Sequence, residues 1–93
     1  MIPVNEYFGG KVKSLTLSGA TGKETLGVMQ PGEYEFSTTS REIITVVSGA
    51  MLVKLPESTQ FEIFYKGDIF EVEANVKFHL RIHTDAAYHC LYI

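Results

Sequence analysis

The sequence has only one cysteine, Cys90, among its 93 residues. A single cysteine excludes an intramolecular disulfide and a zinc site built from cysteines alone. Because free cysteine is among the most buried residue types, we expect the Cys90 thiol to lie in the core.

The sequence also lacks long apolar runs and any excess of positive charge. Nowhere do 18 apolar residues follow one another, and the N-terminal MIPVNEYFGG has no basic region followed by an apolar run. We therefore expect a cytoplasmic protein that does not bind membranes. The formal net charge of −3 argues against binding nucleic acid by neutralising its phosphates.

No repeat, linker or low-complexity segment interrupts the chain, which predicts a single domain spanning residues 1–93. A content of 45% hydrophobic and 20% charged residues is ordinary for a globular protein. A chain of this length buries a modest fraction of its surface, so we expect a homodimer, in which further surface is covered.

Turn residues divide the chain into short runs rich in β-branched and aromatic residues, and no stretch keeps a helical period over three turns. The runs are KVKSLTL, TLGVMQ, GEYEFS, EIITVVS, AMLVKL, FEIFYK, DIFEVE, VKFHLRI and AYHCLYI. They predict an all-β fold of nine strands, in a small sandwich or barrel.

Alternation along these runs assigns their faces. In the last but one, Val76, Phe78, Leu80 and Ile82 share one face, with the row of His79 and its basic neighbours on the other. The side chains that we expect to be mainly buried are Phe36, Ile44, Val46, Leu52, Phe70, Val72, Phe78, Leu80 and Ile82.

The stretch REIITVVSGAMLVKLPE carries a glutamate and a glycine, Glu42 and Gly49, at a spacing that resembles the first motif of the cupin barrels. Gly67 followed by DIFEV resembles their second motif. The histidines of those motifs are missing. Hydroxyl residues from Thr38 to Ser40 occupy the region of the histidine pair, and Phe78 stands where the last histidine would lie.

These departures predict a site without a metal cofactor. His79 and His83 are four residues apart, which on a strand separates them by roughly 13 Å, too far to share one ion. One arrangement stays open, in which Glu42 meets His79 and His89 from separate strands.

The segments NEYFGGKVKSL, LGVMQPGEYEFST, TVVSGAMLVKLPE and VKFHL, with the terminal LYI, are similar to the pyrimidine/purine nucleoside phosphorylase family, in the same order and spacing. The resemblance implies a single cupin-like jelly-roll β-barrel. It also implies a broad-specificity enzyme that converts nucleosides and phosphate to free base and ribose 1-phosphate. Three other functions stay open: a non-catalytic ligand-binding cupin, a structural module, and a metal-dependent isomerase or oxygenase.

If the chain has that activity, its residue types suggest roles. Glu42 would accept hydrogen bonds from the ribose hydroxyls, and His79 would protonate the leaving base. Candidates for phosphate are Arg81, Lys13 and its neighbour Lys11, and the hydroxyl run that includes Ser37 and Thr38. Candidates for stacking on the base are Tyr7, Phe8, Tyr34, Phe36 and Tyr92.

Overall fold

A computed structural model describes residues 1–93 and shows a chain of short strands with one 3₁₀ turn, Phe8–Gly10. The ten strands are β1 (Val4–Tyr7), β2 (Val12–Gly19), β3 (Gly22–Met29), β4 (Gly32–Ser37), β5 (Glu42–Ser48), β6 (Ala50–Lys54), β7 (Glu62–Tyr65), β8 (Ile69–Val72), β9 (Lys77–Ile82) and β10 (Ala86–Tyr92). The all-β prediction is confirmed.

The strands form two antiparallel sheets that face each other. One sheet has six strands in the order β1-β2-β3-β10-β5-β8, and the other has four in the order β4-β9-β6-β7. From β3 onward the chain crosses repeatedly between the sheets, as in a jelly roll. Neither sheet closes on itself, so the core lies between two open sheets.

The nine predicted runs all form strands, with ends shifted by up to three residues. The sequence pattern missed β1, which pairs with β2 in register from Val4 opposite Leu15 to Tyr7 opposite Val12. This strand escapes alternation because it lies at the edge of its sheet, and none of its four residues is fully buried.

The predicted faces of β9 are confirmed, since Phe78, Leu80 and Ile82 are buried. Phe36 and Leu52 were predicted to be buried, and both are only half-buried, although Phe36 packs against the core. On β6 the buried residues are Met51 and Val53, which leaves Leu52 half-buried on the outer face. Residues 51–53 are all apolar, so the sequence has no alternation of apolar and polar residues here that would distinguish the inner face from the outer face.

Gly49 makes the one-residue connection between β5 and β6 possible. Its φ is +78°, a backbone conformation that residues with a side chain rarely adopt. A Cβ at this position would stand 2.7 Å from the Asp85 carbonyl oxygen. The glycine of the first cupin-like motif is thus required where the chain passes from one sheet to the other.

No helix in the structure has the length and apolar character needed to cross a membrane.

Candidate active site

A cavity of about 200 Å³ lies between the two sheets. It opens at the end of the molecule where β3 and β5 begin and β4 and β10 end. The polar side chains on its wall are Tyr7, Ser14, Lys23, Ser37, Thr39, Glu42, Tyr88, Cys90 and Tyr92. Its apolar wall includes Met29, Ile44, Met51 and the aromatic rings of Phe36 and Phe78.

Glu42 is the one carboxylate on the cavity wall. It is the first residue of β5, and it shares its face with the buried Ile44 and Val46, so the alternation of the strand directs it inward. Burial raises the pKa of Glu42 above its ordinary value, against the opposing effect of a hydrogen bond from Cys90. The carboxylate therefore sits in a less solvated place than a surface glutamate.

Strand β10 supplies the wall beside Glu42 through Tyr88, Cys90 and Tyr92, at alternate positions. The Cys90 thiol donates a hydrogen bond to the Glu42 carboxylate, and Tyr92 is paired directly with Glu42 in the sheet. Burial raises the pKa of Tyr88 and of Cys90 to about 12 and also raises the pKa of Tyr92. All three are therefore neutral near pH 7 and can donate hydrogen bonds.

Gly27 creates the space that the Tyr88 ring occupies. A Cβ at Gly27 would lie 2.4 Å from that ring, closer than two carbon atoms can approach. The two residues are paired across β3 and β10. A glycine inside a strand often marks such a close approach.

The rings of Phe36 and Phe78, on the four-stranded sheet, form the opposite wall. Phe36 stacks on Phe78 with 5.9 Å between ring centroids, and Tyr7 meets Phe36 edge-on at 6.1 Å. Phe78, which replaces the last cupin histidine, is 3% exposed and lines the cavity. No group of three or more His, Cys, Asp or Glu side chains in the structure is arranged to hold a metal ion.

The segment between β4 and β5 is fixed by Thr38. Its hydroxyl donates to the Glu73 carbonyl at 2.6 Å and accepts from the Val76 amide at 3.1 Å. Thr38 is buried and both capacities of its hydroxyl are used by backbone. Its neighbours Ser37 and Thr39 line the cavity instead.

Lys23 is the one basic residue on the cavity wall. Its Nζ lies over the Tyr92 ring, 4.7 Å from the centroid. It is the second residue of β3, so it stands at the same end of the molecule as Glu42. The mouth of the cavity thus carries one cation and one carboxylate.

A family model for pyrimidine/purine nucleoside phosphorylase matches residues 2–92. The chain belongs to this family. A relative from Pseudomonas putida named pyrimidine/purine nucleoside phosphorylase is 56% identical, over 99% of this chain and 98% of the relative.

Two solved structures have the same fold. A Vibrio parahaemolyticus protein described as of unknown function superposes with a TM-score of 0.96 at 40% identity, covering 100% of this chain and 99% of that one. An RmlC-like cupin from Shewanella frigidimarina gives a TM-score of 0.75 at 18% identity, over 96% of this chain and 80% of that one. The second likeness confirms the cupin-like jelly-roll fold.

The structure separates from Glu42 two residues, His79 and Arg81, that were grouped with it because their side chains suit the expected chemistry. His79 lies on the outer face of the four-stranded sheet with its Nε2 2.8 Å from Glu35, and Arg81 donates to Glu33 at 2.8 Å on the same face. Neither lines the cavity. The reason is parity: Phe78 and Leu80 point inward, so the residues after each of them point outward.

The other expected site residues divide in the same way. Ser37, Phe36 and Tyr92 line the cavity, as does Tyr7. Tyr34 is buried and donates to the Gln30 carbonyl at 2.6 Å, outside the cavity wall.

Lys13 lies 3.3 Å from Glu6 on the outer side of β2, and Thr38 is the anchor already described. The metal arrangement left open, Glu42 with His79 and His89, does not form, because the two histidines project from the outer faces of different sheets.

Sequence reasoning missed Lys23, Ser14 and Tyr88 as cavity residues. The parity of β10 was a usable signal for Tyr88, because a core position for Cys90 places the residues two before and two after it on the same face. No comparable signal existed for Lys23, which follows the GATG turn and precedes any clear alternation.

Proposed function

We propose that the chain is a nucleoside phosphorylase of broad specificity, acting in the cytoplasm. It takes purine and pyrimidine ribonucleosides with inorganic phosphate and releases the free base and ribose 1-phosphate. The observation that carries this proposal is the cavity of a family member with a single carboxylate, Glu42, held beside hydroxyl, thiol and aromatic groups.

The reaction needs no group beyond the two substrates. A phosphate oxygen forms a bond to C1′ of the ribose, and the bond from C1′ to the base nitrogen breaks with its electron pair going to the base. The proton of hydrogen phosphate balances the charge on the departing base. Cleavage of a glycosidic bond passes through a sugar with oxocarbenium character, so a site gains rate by stabilising positive charge near C1′.

Glu42 suits the sugar end of this reaction. A carboxylate can accept hydrogen bonds from both hydroxyls of a vicinal diol, and its negative charge stabilises an electron-poor ribose. The hydrogen bond from the Cys90 thiol keeps the Glu42 carboxylate in place, so the carboxylate needs little reorganisation when the sugar binds. The partly buried location strengthens this electrostatic effect.

The size of the cavity supports broad specificity. Pockets that enclose a drug-sized ligand measure roughly 300–1,000 Å³, whereas this one holds about 200 Å³. We infer that the common ribose is enclosed and that the base extends towards the mouth. The rings of Tyr7, Phe36 and Tyr92 can stack there on any base, since every base has a π-face.

The experiment that tests the function is a comparison of product formation with and without phosphate. Purified protein with inosine or uridine should release hypoxanthine or uracil only when phosphate is present, with ribose 1-phosphate formed in equal amount. Binding of nucleoside without any product would support the ligand-binding alternative. Release of base without phosphate would indicate a hydrolase.

We further propose that the active form is a homodimer built on the outer face of the six-stranded sheet. Exposed apolar side chains continue across neighbouring strands on that face, from Val4 to Leu15 to Leu26, with Val28 beside them. At the edge of this face, Lys13 and Glu6 form an ion pair. In a two-fold symmetric dimer, the Lys13 of one copy can therefore contact the Glu6 of the other. A second copy of the chain fits this combination.

A further inference from the structure

We propose that inorganic phosphate binds at the mouth of the cavity, held by the Lys23 ammonium together with the hydroxyls of Ser37 and Thr39. This subsite rests on the proposed phosphorolysis. It differs from the phosphate residues suggested by the sequence alone, Arg81 and Lys13, which lie outside the cavity.

The distribution of cations singles out Lys23. Four of the eight lysines and arginines are within ion-pair distance of a carboxylate: Lys13, Arg41, Lys77 and Arg81. Lys11, Lys54 and Lys66 have no ion pair but do not line the cavity. Lys23 is the one basic residue that lines the cavity and has no carboxylate within ion-pair distance.

The Tyr92 ring positions that ammonium. A cation over an aromatic face is attracted by the ring, which limits the positions that the ammonium can take. The centroid lies 4.7 Å from Nζ, and Tyr92 is paired with Glu42 across β10 and β5. Burial raises the pKa of Glu42, and the positive charge of Lys23 opposes part of that rise.

The two hydroxyls come from the opposite sheet. Ser37 ends β4, and Thr39 follows the buried anchor Thr38, whose backbone amide bonds the Val76 carbonyl at 2.9 Å. This fixed segment presents Ser37 and Thr39 to the cavity while Thr38 faces away. Phosphate oxygens accept hydrogen bonds from hydroxyl and ammonium donors alike.

Charge then dictates the order of the substrates in the cavity. A phosphate dianion is attracted by Lys23 and repelled by the Glu42 carboxylate, so it binds on the Lys23 side of the cavity mouth. Positive charge that develops at C1′ is stabilised by both anions, the phosphate and the Glu42 carboxylate. In the proposed phosphorolysis, the phosphate held at Lys23 is the nucleophile that attacks C1′.

The test measures phosphate and nucleoside separately in Lys23→Gln, Lys23→Arg and a matched control, Lys66→Gln. We expect Lys23→Gln to raise the KM for phosphate roughly 10-fold to 100-fold, the loss typical of one charge-assisted hydrogen bond, with little change in the KM for inosine. Lys23→Arg should restore most of the phosphate affinity, and Lys66→Gln should behave as the parent protein. Thermal melting of each variant checks that it is folded.

Direct binding of inorganic phosphate separates this subsite from the proposed function. Titration by phosphorus NMR should show binding to the parent protein that Lys23→Gln loses, whether or not turnover occurs. If the parent protein binds phosphate in this way but consumes no nucleoside, phosphorolysis fails and the subsite stands. Equal phosphate affinity in parent and Lys23→Gln proteins, or no phosphate binding at all, overturns the subsite.

Discussion

The Cys90 thiol donates a hydrogen bond to the Glu42 carboxylate, with Sγ 3.4 Å from Oε1, across the pair formed by β10 and β5. The pKa of the thiol is raised to about 12 by burial and by the nearby carboxylate, so it remains a donor throughout the neutral range. A neutral donor can hold an anion in place without cancelling its charge. This pair therefore keeps Glu42 inward while leaving its charge for the sugar.

The first prediction concerns stability and pH. Burial raises the pKa of Glu42 in the folded state above its ordinary value of 4.5. The folded protein therefore binds this proton more tightly than the unfolded chain does. The associated stability is present below the unfolded pKa and is lost as pH rises through the folded pKa. The Gln side chain of Glu42→Gln does not ionise, so the variant does not lose this stability. Its free energy of unfolding should therefore increase relative to that of the parent protein as pH rises from about 4 to about 7.

Urea unfolding of both proteins across that range measures the difference. Glu62→Gln is the matched control, because Glu62 is exposed on β7 and forms no ion pair. A difference between Glu42→Gln and the parent that stays constant with pH would show that the Glu42 carboxylate is fully solvated.

The second prediction concerns Gly27. Gly27→Ala puts a Cβ 2.4 Å from the Tyr88 ring, which must shift within a packed wall. Overpacking of this kind typically costs about 1–3 kcal/mol in the free energy of unfolding. The same change in a Tyr88→Ala background should cost clearly less, since the clashing ring is gone. If Gly27→Ala lowers the free energy of unfolding equally in the two backgrounds, the Tyr88 ring is not the reason why position 27 requires a glycine.

The third prediction is that activity does not depend on a metal. Phe78 takes the place of a cupin ligand on the cavity wall, and a tight transition-metal site needs several nitrogen, oxygen or sulfur donors. Incubation with EDTA followed by assay should leave kcat and KM unchanged. Stoichiometric zinc, iron or manganese in the purified protein, lost together with activity, contradicts this expectation.

The fourth prediction concerns the dimer. Leu26→Glu places a charge in the apolar outer face of the six-stranded sheet and should shift the protein to monomers, measured by sedimentation velocity. Ile63→Glu is the control: Ile63 is on β7 of the other sheet and is 46% exposed, as is Leu26. A parent protein that sediments as a monomer, or equal effects of both variants, would exclude this face as the interface.

Much of the fold could be predicted from local pattern. The alternation on β9 correctly gave the inward Phe78 and the outward His79, and the spacing from Glu42 to Gly49 correctly directed the carboxylate inward. Alternation works here because one face of each strand is buried and a one-residue slip would expose it.

The composition of the site was harder to predict. Arg81 and His79 were grouped with Glu42 by chemical suitability, although their parity placed them outside. Lys23 enters the cavity only because β3 begins beside the end of β10, a pairing between distant segments that no local pattern encodes. Long-range strand order thus decided which cation lines the same cavity as the carboxylate.

The most direct test of the account is the kcat/KM of Glu42→Gln for phosphorolysis of inosine and uridine, measured beside the parent protein and Glu62→Gln. The substitution keeps the shape of Glu42 and removes its charge. The loss of one preorganised electrostatic contact typically costs about 10²-fold to 10³-fold in rate. The account predicts a loss of that size, similar for both substrates because ribose is common to them, with Glu62→Gln unchanged. Unchanged kinetics in Glu42→Gln would contradict it and would move the site elsewhere, to Arg81 and the lysines before and within β2.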